Sequence, residues 1–402
     1  MRILLCHNFY QQPGGEDQVF DDEGSLLESR GHEVVRYTLH NDAVKLMGKW
    51  ELIRKTLWNS KSAEDVRQII RRTKPDVMHC ANTFPLISPA VYYVAKDEHV
   101  AVVQTLHNYR TSCPNAQLFR DGKVCESCLE KSIAWPAIVH SCYRDDRGAS
   151  AAVVATLAYH WAKKTWTRKV DRFIALTEFS KQKHVQGGLP AERIDVKPNF
   201  VNPDPGIGSG NGDYAVFVGR LSAEKGIKTM LDGWSRLKRN LKLKIIGAGP
   251  LGDDVQRATR SDSRIEWLGR RTFGEVCDIV GDAKCVVIPS VWYETFGRTI
   301  IEAYAKGTPV IVSCLGAMRE LVAEGRTGLL FEPGNPDDLA NKVEQLIADR
   351  DKHSTFRREA RWEYESHYTP ELNYQQLMSV YQRAIGAKYS LPTAEVAAVA
   401  AC

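Results

Sequence analysis

The stretch IPSVWYETFGRTIIEAYAKGTPVIVS, residues 288–313, decides the fold. Short, β-branched apolar runs at 285–289 and 309–313 flank a segment of helix-forming residues, a pattern that predicts strand, loop, helix and strand. This is the βαβ unit of a parallel sheet. Glu294 then lies in the loop after the first strand and Glu302 in the first turns of the helix. Both carboxylates are therefore expected at the crevice where open α/β sheets bind ligands.

Two explanations fit this pair of glutamates when it is considered alone. A glutamate near the start of a helix is often only a favourable partner of the helix dipole. The same helix start also offers unpaired N–H groups and partial positive charge, which suit a phosphate group. Motifs elsewhere in the chain are needed to distinguish a structural role of these glutamates from a ligand-binding role.

The composition indicates a globular protein of ordinary polarity. The 402 residues are 43% hydrophobic and 26% charged, enough for two domains. A net charge of +5 is too mild for a nucleic-acid binder, although it is compatible with anionic substrates or an anionic membrane surface. The amino terminus lacks the features of a signal peptide, and no run of about 18 apolar residues occurs, so we expect a soluble, cytoplasmic protein.

Strand-like runs recur along both halves of the chain, separated by segments of helical period. They lie at 2–9, 32–39, 75–82, 101–108, 173–177, 194–200, 214–221, 241–249, 264–269, 285–290, 309–313 and 328–331. Two doubly wound sheets explain this order most simply.

Proline, glycine and Asn/Asp interrupt the segment 197–214, KPNFVNPDPGIGSGNGDY, which we interpret as the hinge between two domains. The tail is rich in small residues. The predicted divisions are an acceptor-side domain 1–200 with a cysteine-containing insertion at about 109–145, a donor-binding domain 201–365, a helix 366–387 that returns to the first domain, and a disordered tail 388–402.

A second motif, VFVGRLSAEKG at 216–226, places two cations beside a strand end. Gly219 and Arg220 end the strand, and Lys225 opens the next helix. Two unpaired cations in one crevice suit a diphosphate, because arginine can bind its oxygens bidentately and lysine adds a compact charge. A solvated surface loop is the alternative. The turn IIGAGP, with Gly247 and Gly249, ends another strand, so three loops are expected to converge.

The order of these motifs, followed by GRTGLLFEPGNPDDLA at 325–340, resembles the donor half of the glycosyltransferase family 4 enzymes of GT-B architecture over most of 214–350. The resemblance implies two doubly wound Rossmann-like domains facing each other across a cleft, and a reaction that retains anomeric configuration. It also implies that Glu294 contacts the hydroxyls of the donor sugar and Glu302 the ribose, while Arg220 and Lys225 bind the diphosphate.

The physical chemistry agrees with these implied roles. Breaking a glycosyl phosphate bond builds negative charge on the departing diphosphate, which fixed cations and a helix terminus stabilise. Backbone N–H groups around Phe296 and Gly297 can approach the donor, and Thr299 can donate a hydroxyl. The one D-x-D sequence, at 349–351, ends a charged helix and is interpreted as surface, so no catalytic metal is predicted.

Two loops of the first half complete the expected cleft. Gly14 and Gly15 follow the first strand and open a helix, a geometry that allows close approach to a phosphate or sugar. They do not form the G-x-G-x-x-G fingerprint, which disfavours a dinucleotide cofactor. His107 ends the fourth strand and resembles the cleft histidine of the family; it can donate or accept a hydrogen bond near the acceptor hydroxyl. An ordinary polar strand end is the other interpretation.

Four of the ten cysteines cluster after His107. A C-x2-C pair lies at the centre of the cluster, behind an expected hairpin that turns at Asp121-Gly122. A structural zinc site and free thiols both fit this set, and His140 could replace one ligand. The cysteines concerned are Cys113, Cys125, Cys128 and Cys142.

Two segments mix tryptophan with lysine and arginine, at 43–58 and 159–170. Each is either a helix packed on its own sheet or a surface for an anionic bilayer. The predicted function is transfer of a hexose from a UDP- or GDP-sugar to a sugar, glycolipid or lipid-linked acceptor, in cell-surface polysaccharide or glycolipid synthesis. A phosphorylase or sugar-nucleotide epimerase of the same architecture, or a nucleotide-sugar-binding protein without activity, remains the alternative.

Overall fold

The computed structural model describes residues 1–12 and 14–389. Two parallel sheets of six strands each dominate it, with strand orders β2-β1-β3-β4-β7-β8 and β11-β10-β9-β12-β13-β14. The strands of the first half are β1 (Arg2–Phe9), β2 (Glu33–His40), β3 (Val77–Asn82), β4 (Ala101–Thr105), β5 (Phe119–Arg120), β6 (Lys123–Val124), β7 (Arg172–Ala175) and β8 (Ile194–Val196). Those of the second half are β9 (Tyr214–Val218), β10 (Lys242–Ile246), β11 (Ile265–Gly269), β12 (Cys285–Ile288), β13 (Val310–Ser313) and β14 (Gly328–Phe331).

Helices cover the faces of both sheets. Those before the second sheet are α1 (Gly15–Ser29), α2 (Lys49–Leu57), α3 (Ser60–Thr73), α4 (Ala90–Asp97), α5 (Pro136–Val139), α6 (Arg147–Ala162), α7 (Thr165–Lys169) and α8 (Glu178–Gln186). The later ones are α9 (Ile227–Arg236), α10 (Gly252–Ser261), α11 (Phe273–Asp282), α12 (Arg298–Ala305), α13 (Gly316–Leu321), α14 (Pro336–Ile347), α15 (Arg350–His367) and α16 (Pro370–Tyr389). Short 3-10 turns lie at Asn41–Leu46, Ala191–Arg193 and Ala223–Lys225.

The predicted fold class, two doubly wound sheets, is confirmed, and every strand-like run of the sequence forms a strand. Several strands end earlier than predicted at their carboxyl ends. Gly247, for example, has a φ of +136°, which ends β10 at Ile246 because the backbone leaves the extended region there. The residues that follow these strands therefore form the loops of the cleft.

Each sheet reverses its order at one place. In the first sheet β1 pairs with β2 and β3, and in the second β9 pairs with β10 and β12. Loops diverge at such a reversal and leave a crevice beyond the carboxyl ends of the strands. The loop that ends in Gly14 follows β1, and the loops with Arg220 and Glu294 follow β9 and β12.

The last helix belongs to the core of the first sheet. In α16, Leu377, Val380 and Tyr381 pack with Ile3 and Leu5 of β1 in one apolar cluster. The chain therefore crosses between the sheets twice, through 197–213 and again before α16. The predicted disordered segment 388–402 lies outside the described residues apart from the last turn of α16.

The two crossings contact each other. Val201 N donates to Tyr368 O at 3.3 Å, and Asn373 Nδ2 donates to Pro198 O at 3.0 Å. Val201 is itself buried. The start of the predicted hinge is therefore a packed segment, joined to the second crossing.

None of the helices in the described residues combines the length and the apolar composition that crossing a bilayer requires.

The D-x-D sequence has a local role, because the Asp349 side chain caps α15 by accepting from Asp351 N and Lys352 N.

A buried ion pair ties the hinge to the first sheet, and its removal tests that connection. Lys197, 1% exposed, donates to Glu23 of α1 at 2.7 Å, and Glu23 is 5% exposed. We predict that Lys197→Met lowers the free energy of unfolding by about 3–5 kcal/mol, because it leaves a buried carboxylate unpaired. Urea unfolding measures the loss. The exposed pair of Lys61 with Asp65 supplies the control, and Lys61→Met should cost less than about 1 kcal/mol. Equal unfolding midpoints for the two variants would contradict the prediction.

Candidate active site

The loop after β12 holds Glu294 in direct contact with Lys225. Glu294, 8% exposed, accepts from Lys225 Nζ at 2.5 Å and from Ser290 Oγ at 2.9 Å, both at Oε1. Lys225 reaches it from the 3-10 turn that follows β9. The expectation that Lys225 is unpaired is therefore wrong: the nearest anion in the crevice is the carboxylate of Glu294. The structure brings the sugar-binding and diphosphate-binding candidates to one point.

Arg220 is exposed beside this pair. Within residues 1–12 and 14–389 its side chain makes no ion pair, so its guanidinium is available to an anionic ligand. The ammonium of Lys225 also lies 5.3 Å from the centre of the Trp292 ring. Arg220 is thus the cation of this motif that stays unpaired within the described part of the chain, while Lys225 is engaged by Glu294 and Trp292.

Glu302 is held by an arginine that the sequence analysis did not select. Arg298 Nε donates to Glu302 Oε1 at 2.8 Å, and Arg298 Nη2 donates to Asp22 of α1 at 2.8 Å. Its Nη1 lies 3.5 Å from Gly15 O. Burial raises the pKa of Glu302, and the guanidinium opposes that shift. Arg298 therefore connects the ribose-binding candidate to the opposite sheet.

The residues between the two glutamates shape the start of α12. Gly297 has a φ of +94°, a backbone conformation that favours glycine, and it caps the helix. Phe296 is buried in the apolar core of the second sheet, where its ring lies 6.1 Å from that of Tyr368. Thr299 is half-buried in the first turn of the helix. Phe296 thus anchors the loop, and only its backbone is placed to meet a ligand.

The glycines after β9 and β10 pack against each other. A Cβ at Gly247 would lie 1.9 Å from Gly219 O, and one at Gly249 would lie 2.5 Å from Leu221 O. The two loops also exchange backbone hydrogen bonds, such as Leu221 N to Ala248 O at 3.1 Å. Glycine is therefore required at Gly247 and Gly249 by the close approach of the two loops, whether or not the donor also contacts them.

Gly14 and Gly15 begin α1 and face α12. Gly14 N donates to Asp17 Oδ2 at 2.9 Å, which fixes the first turn. A Cβ at Gly14 would meet no heavy atom within 4 Å, and one at Gly15 would meet Arg298 Cδ at 3.8 Å. The amino terminus of this long helix therefore faces the donor loops, with open space beside Gly14.

His107 lies on the other wall of the cleft, after β4. Thr295, next to Glu294, donates its Oγ1 to His107 O at 2.9 Å. Burial lowers the pKa of His107 to about 3, so its imidazole is neutral at physiological pH. Burial also raises the pKa of Glu16 to about 8, and Tyr10 Oη donates to its carboxyl at 3.0 Å. A neutral imidazole and a protonated carboxyl are thus available on this wall.

A cavity that opens to solvent adjoins His107. The loop residues His107, Asn108 and Arg110 line it together with Thr56 of α2 and Thr156 of α6. It lies entirely within the first sheet and its helices. Its position beside His107 makes it the candidate acceptor pocket.

The four clustered cysteines are free thiols in the structure, and all four line one small cavity. The predicted hairpin is present as β5 and β6, which pair antiparallel. His140 is exposed and does not line that cavity. Across the described residues, no group of three or more His, Cys, Asp or Glu side chains is arranged to hold a metal ion.

Two family models match this chain. Glycosyltransferase Family 4 matches residues 13–205, and Glycosyl transferases group 1 matches residues 212–349, so that together they take in most of the chain. This chain belongs to glycosyltransferase family 4. It is a nucleotide-sugar-dependent glycosyltransferase of GT-B architecture, as its motifs imply.

Known proteins are similar to this chain in sequence or in fold. A protein of Klebsiella pneumoniae described as an uncharacterized 42.6 kDa protein in the cps region is 27% identical over 293 residues, 71% of this chain and 68% of the relative. An uncharacterized glycosyltransferase of Methanocaldococcus jannaschii is 31% identical over 191 residues, 47% of this chain and only 53% of the relative. The structure of Anabaena HepE in complex with UDP and glucose is similar with a TM-score of 0.69 and 19% identity, covering 95% of this chain and 99% of that one.

We predict that Asp22→Asn raises the KM for the donor at least about fivefold, although Asp22 belongs to the first sheet. Hydrogen bonds between charged groups contribute about 1.5–3 kcal/mol, and without Asp22 the Arg298 guanidinium loses its anchor and Glu302 its fixed orientation. Steady-state kinetics and titration with the donor nucleotide measure the change. The neighbouring Asp21, exposed on the same helix, provides the matched control Asp21→Asn. An unchanged KM in Asp22→Asn would show that the bridge does not support donor binding.

Proposed function

We propose that this enzyme transfers a hexose from a UDP-sugar to a hydroxyl group of a sugar or lipid-linked acceptor, with retention of anomeric configuration. The observation that carries the proposal is the contact of Lys225 with Glu294 at the cleft, 2.5 Å apart. One ligand that has a diphosphate beside a sugar can engage both side chains. UDP as the nucleotide is supported by the Anabaena neighbour, whose structure contains UDP and glucose.

The proposed chemistry uses charge rather than a protein nucleophile. The bond between the anomeric carbon and the diphosphate breaks, and Lys225 and Arg220 stabilise the charge on the leaving group. The acceptor oxygen bonds to the same carbon on the same face, and its proton passes to the departing diphosphate. Glu294 holds the sugar hydroxyls, and the neutral His107 positions the reacting groups by a hydrogen bond. Retention is carried over from the family.

The acceptor in this proposal enters the cavity beside His107. Amide, hydroxyl and aromatic side chains line it, including Asn82, Gln104, Thr156 and Tyr92. Such a mixture suits a saccharide, which combines hydroxyl groups with apolar ring faces. A role in cell-surface polysaccharide or glycolipid synthesis is supported by the cps region of the Klebsiella relative.

We further propose that the acceptor is reached at an anionic membrane surface. Leu46 is 92% exposed and Trp50 is 84% exposed, although both are large apolar residues. Exposed Lys49 and Arg54 lie on the same segment, and its helix continues to Thr56 at the cavity. Apolar side chains among cations are typical of helices that lie on anionic bilayers. The other tryptophan-containing segment, 159–170, instead buries Trp166 in the first core.

Activity assays with separate nucleotide sugars test the reaction. We predict turnover with a UDP-sugar, and a more than tenfold lower kcat in Glu294→Gln and in Lys225→Ala, because each contact strengthens in the transition state. Asp351→Asn on α15, outside the cleft, is the control and should retain wild-type turnover. Wild-type rates in both cleft variants would reject the proposed site.

The same assay separates the alternatives. Release of a sugar 1-phosphate from the donor and inorganic phosphate, without any acceptor, would identify a phosphorylase. Conversion of the free nucleotide sugar to its epimer would identify an epimerase. Donor binding without any turnover over a broad panel of acceptors would indicate a binding protein.

The membrane proposal predicts a specific loss. Trp50→Ala should reduce binding to vesicles of phosphatidylcholine and phosphatidylglycerol at least about tenfold, because burial of one large apolar side chain contributes about 1.5–3 kcal/mol. Cosedimentation measures the bound fraction. Trp362, 51% exposed on α15 of the second half, is the matched control, and Trp362→Ala should bind as the wild type does. Equal binding by both variants would reject this surface.

A further inference from the structure

The cysteine insertion after His107 has very little regular structure. Its elements are the two-residue strands β5 and β6 and the four-residue helix α5. One small apolar cluster holds its first part together, with Tyr109, Cys113, Leu118 and Leu129. Segments with so small a core usually depend on a cross-link or a metal for their shape.

The four thiols of the insertion come from different parts of it and surround the same space. Cys113 lies before β5, and Cys125 follows β6 directly. Cys128 is three residues after Cys125, and Cys142 follows α5. Backbone hydrogen bonds fix these positions, including Cys125 N to Leu118 O at 2.8 Å and Cys142 N to Ala137 O at 2.9 Å. All four line one small cavity, together with Arg120.

We propose that Cys113, Cys125, Cys128 and Cys142 bind one Zn²⁺ ion in a closed structural site. Four cysteine ligands with a C-x2-C knuckle match the donor set of structural zinc sites, and four thiolates leave no position for a substrate. The thiols as placed do not form a metal-binding group, so zinc binding requires them to move closer together around the cavity that they share. Zinc binding releases the thiol protons and folds the insertion around the metal.

The zinc site would also support the loop that carries Glu294. Tyr109 Oη lies 3.5 Å from Glu294 O, and Tyr293 packs against the apolar cluster that contains Tyr109 and Cys113. Glu126, inside the C-x2-C knuckle, pairs with Lys183 at 2.7 Å. The Lys183 ammonium lies 5.4 Å from the centre of the Tyr293 ring. The insertion therefore contacts the opposite wall of the cleft directly beside Glu294.

Metal analysis of the full-length, carefully reduced protein tests the site independently of activity. We expect about one zinc per chain, and loss of most of it in Cys128→Ser. Cys314, a half-buried thiol outside the cluster, provides the control Cys314→Ser, which should keep its zinc. Replacement by Co²⁺ in the wild type should give the absorption bands of a tetrahedral thiolate site, a readout that needs no variant to fold. Absence of metal together with four titratable thiols, or a disulfide within the cluster, would overturn the proposal.

A second test asks whether the insertion supports the Glu294 loop. It measures kcat and therefore rests on the proposed function. Glu126→Gln should keep its zinc and lower kcat at least threefold with little change in KM for the donor, because only the position of the loop changes. Glu130→Gln, in the same insertion, is the control. A normal kcat in Glu126→Gln, together with a low kcat in Glu294→Gln, would overturn the link between the insertion and the Glu294 loop but not the proposed function. An inactive wild type would instead count against the proposed function.

Discussion

The arrangement of the cleft depends on one arginine, with its side chain 11% exposed, that is shared between two walls. Arg298 binds Glu302 on its own helix and Asp22 on the helix that follows β1, each at 2.8 Å. A guanidinium can satisfy two carboxylates at once because its donors form a planar fork. The position of the Glu302 carboxylate therefore depends on a residue nearly three hundred positions earlier in the chain. Thr295 and Tyr109 add contacts across the cleft at the Glu294 loop, through the backbone oxygens of His107 and Glu294.

Topology explains why these contacts are available at all. Each parallel sheet reverses its order next to β1 or β9, and the loops that follow those strands diverge into the same space. The helix starts at Gly15 and Arg298 lie close together, since a Cβ at Gly15 would be 3.8 Å from Arg298 Cδ, and each helix start carries partial positive charge. The two helix starts therefore contribute partial positive charge to the cleft in addition to the charged side chains.

The sequence predicted the strands and the loops of the site because both depend on local patterns. Apolar β-branched runs located every strand of the two six-stranded sheets, and the motif spacing placed Glu294 in a loop and Glu302 in a helix. Pairing between loops distant in sequence has no periodicity, so Lys225 was expected to be free and Asp22 and Arg298 were not selected. The low pKa of His107 and the high pKa of Glu16 also arise from burial between elements distant in sequence. Arg298, which lies between Glu294 and Glu302 in the motif, was the one sequence signal for the bridge to Asp22.

The two chain crossings have a mechanical consequence. Val201 is hydrogen-bonded to Tyr368, and Asn373 to Pro198, so both connections between the sheets pass through one small region. Two bodies connected through one region could swing about it as a pivot only if the contacts across the cleft, such as that of Arg298 with Asp22, separated first. A substitution that stiffens the pivot would therefore change the rate of opening without touching any group that meets the substrate.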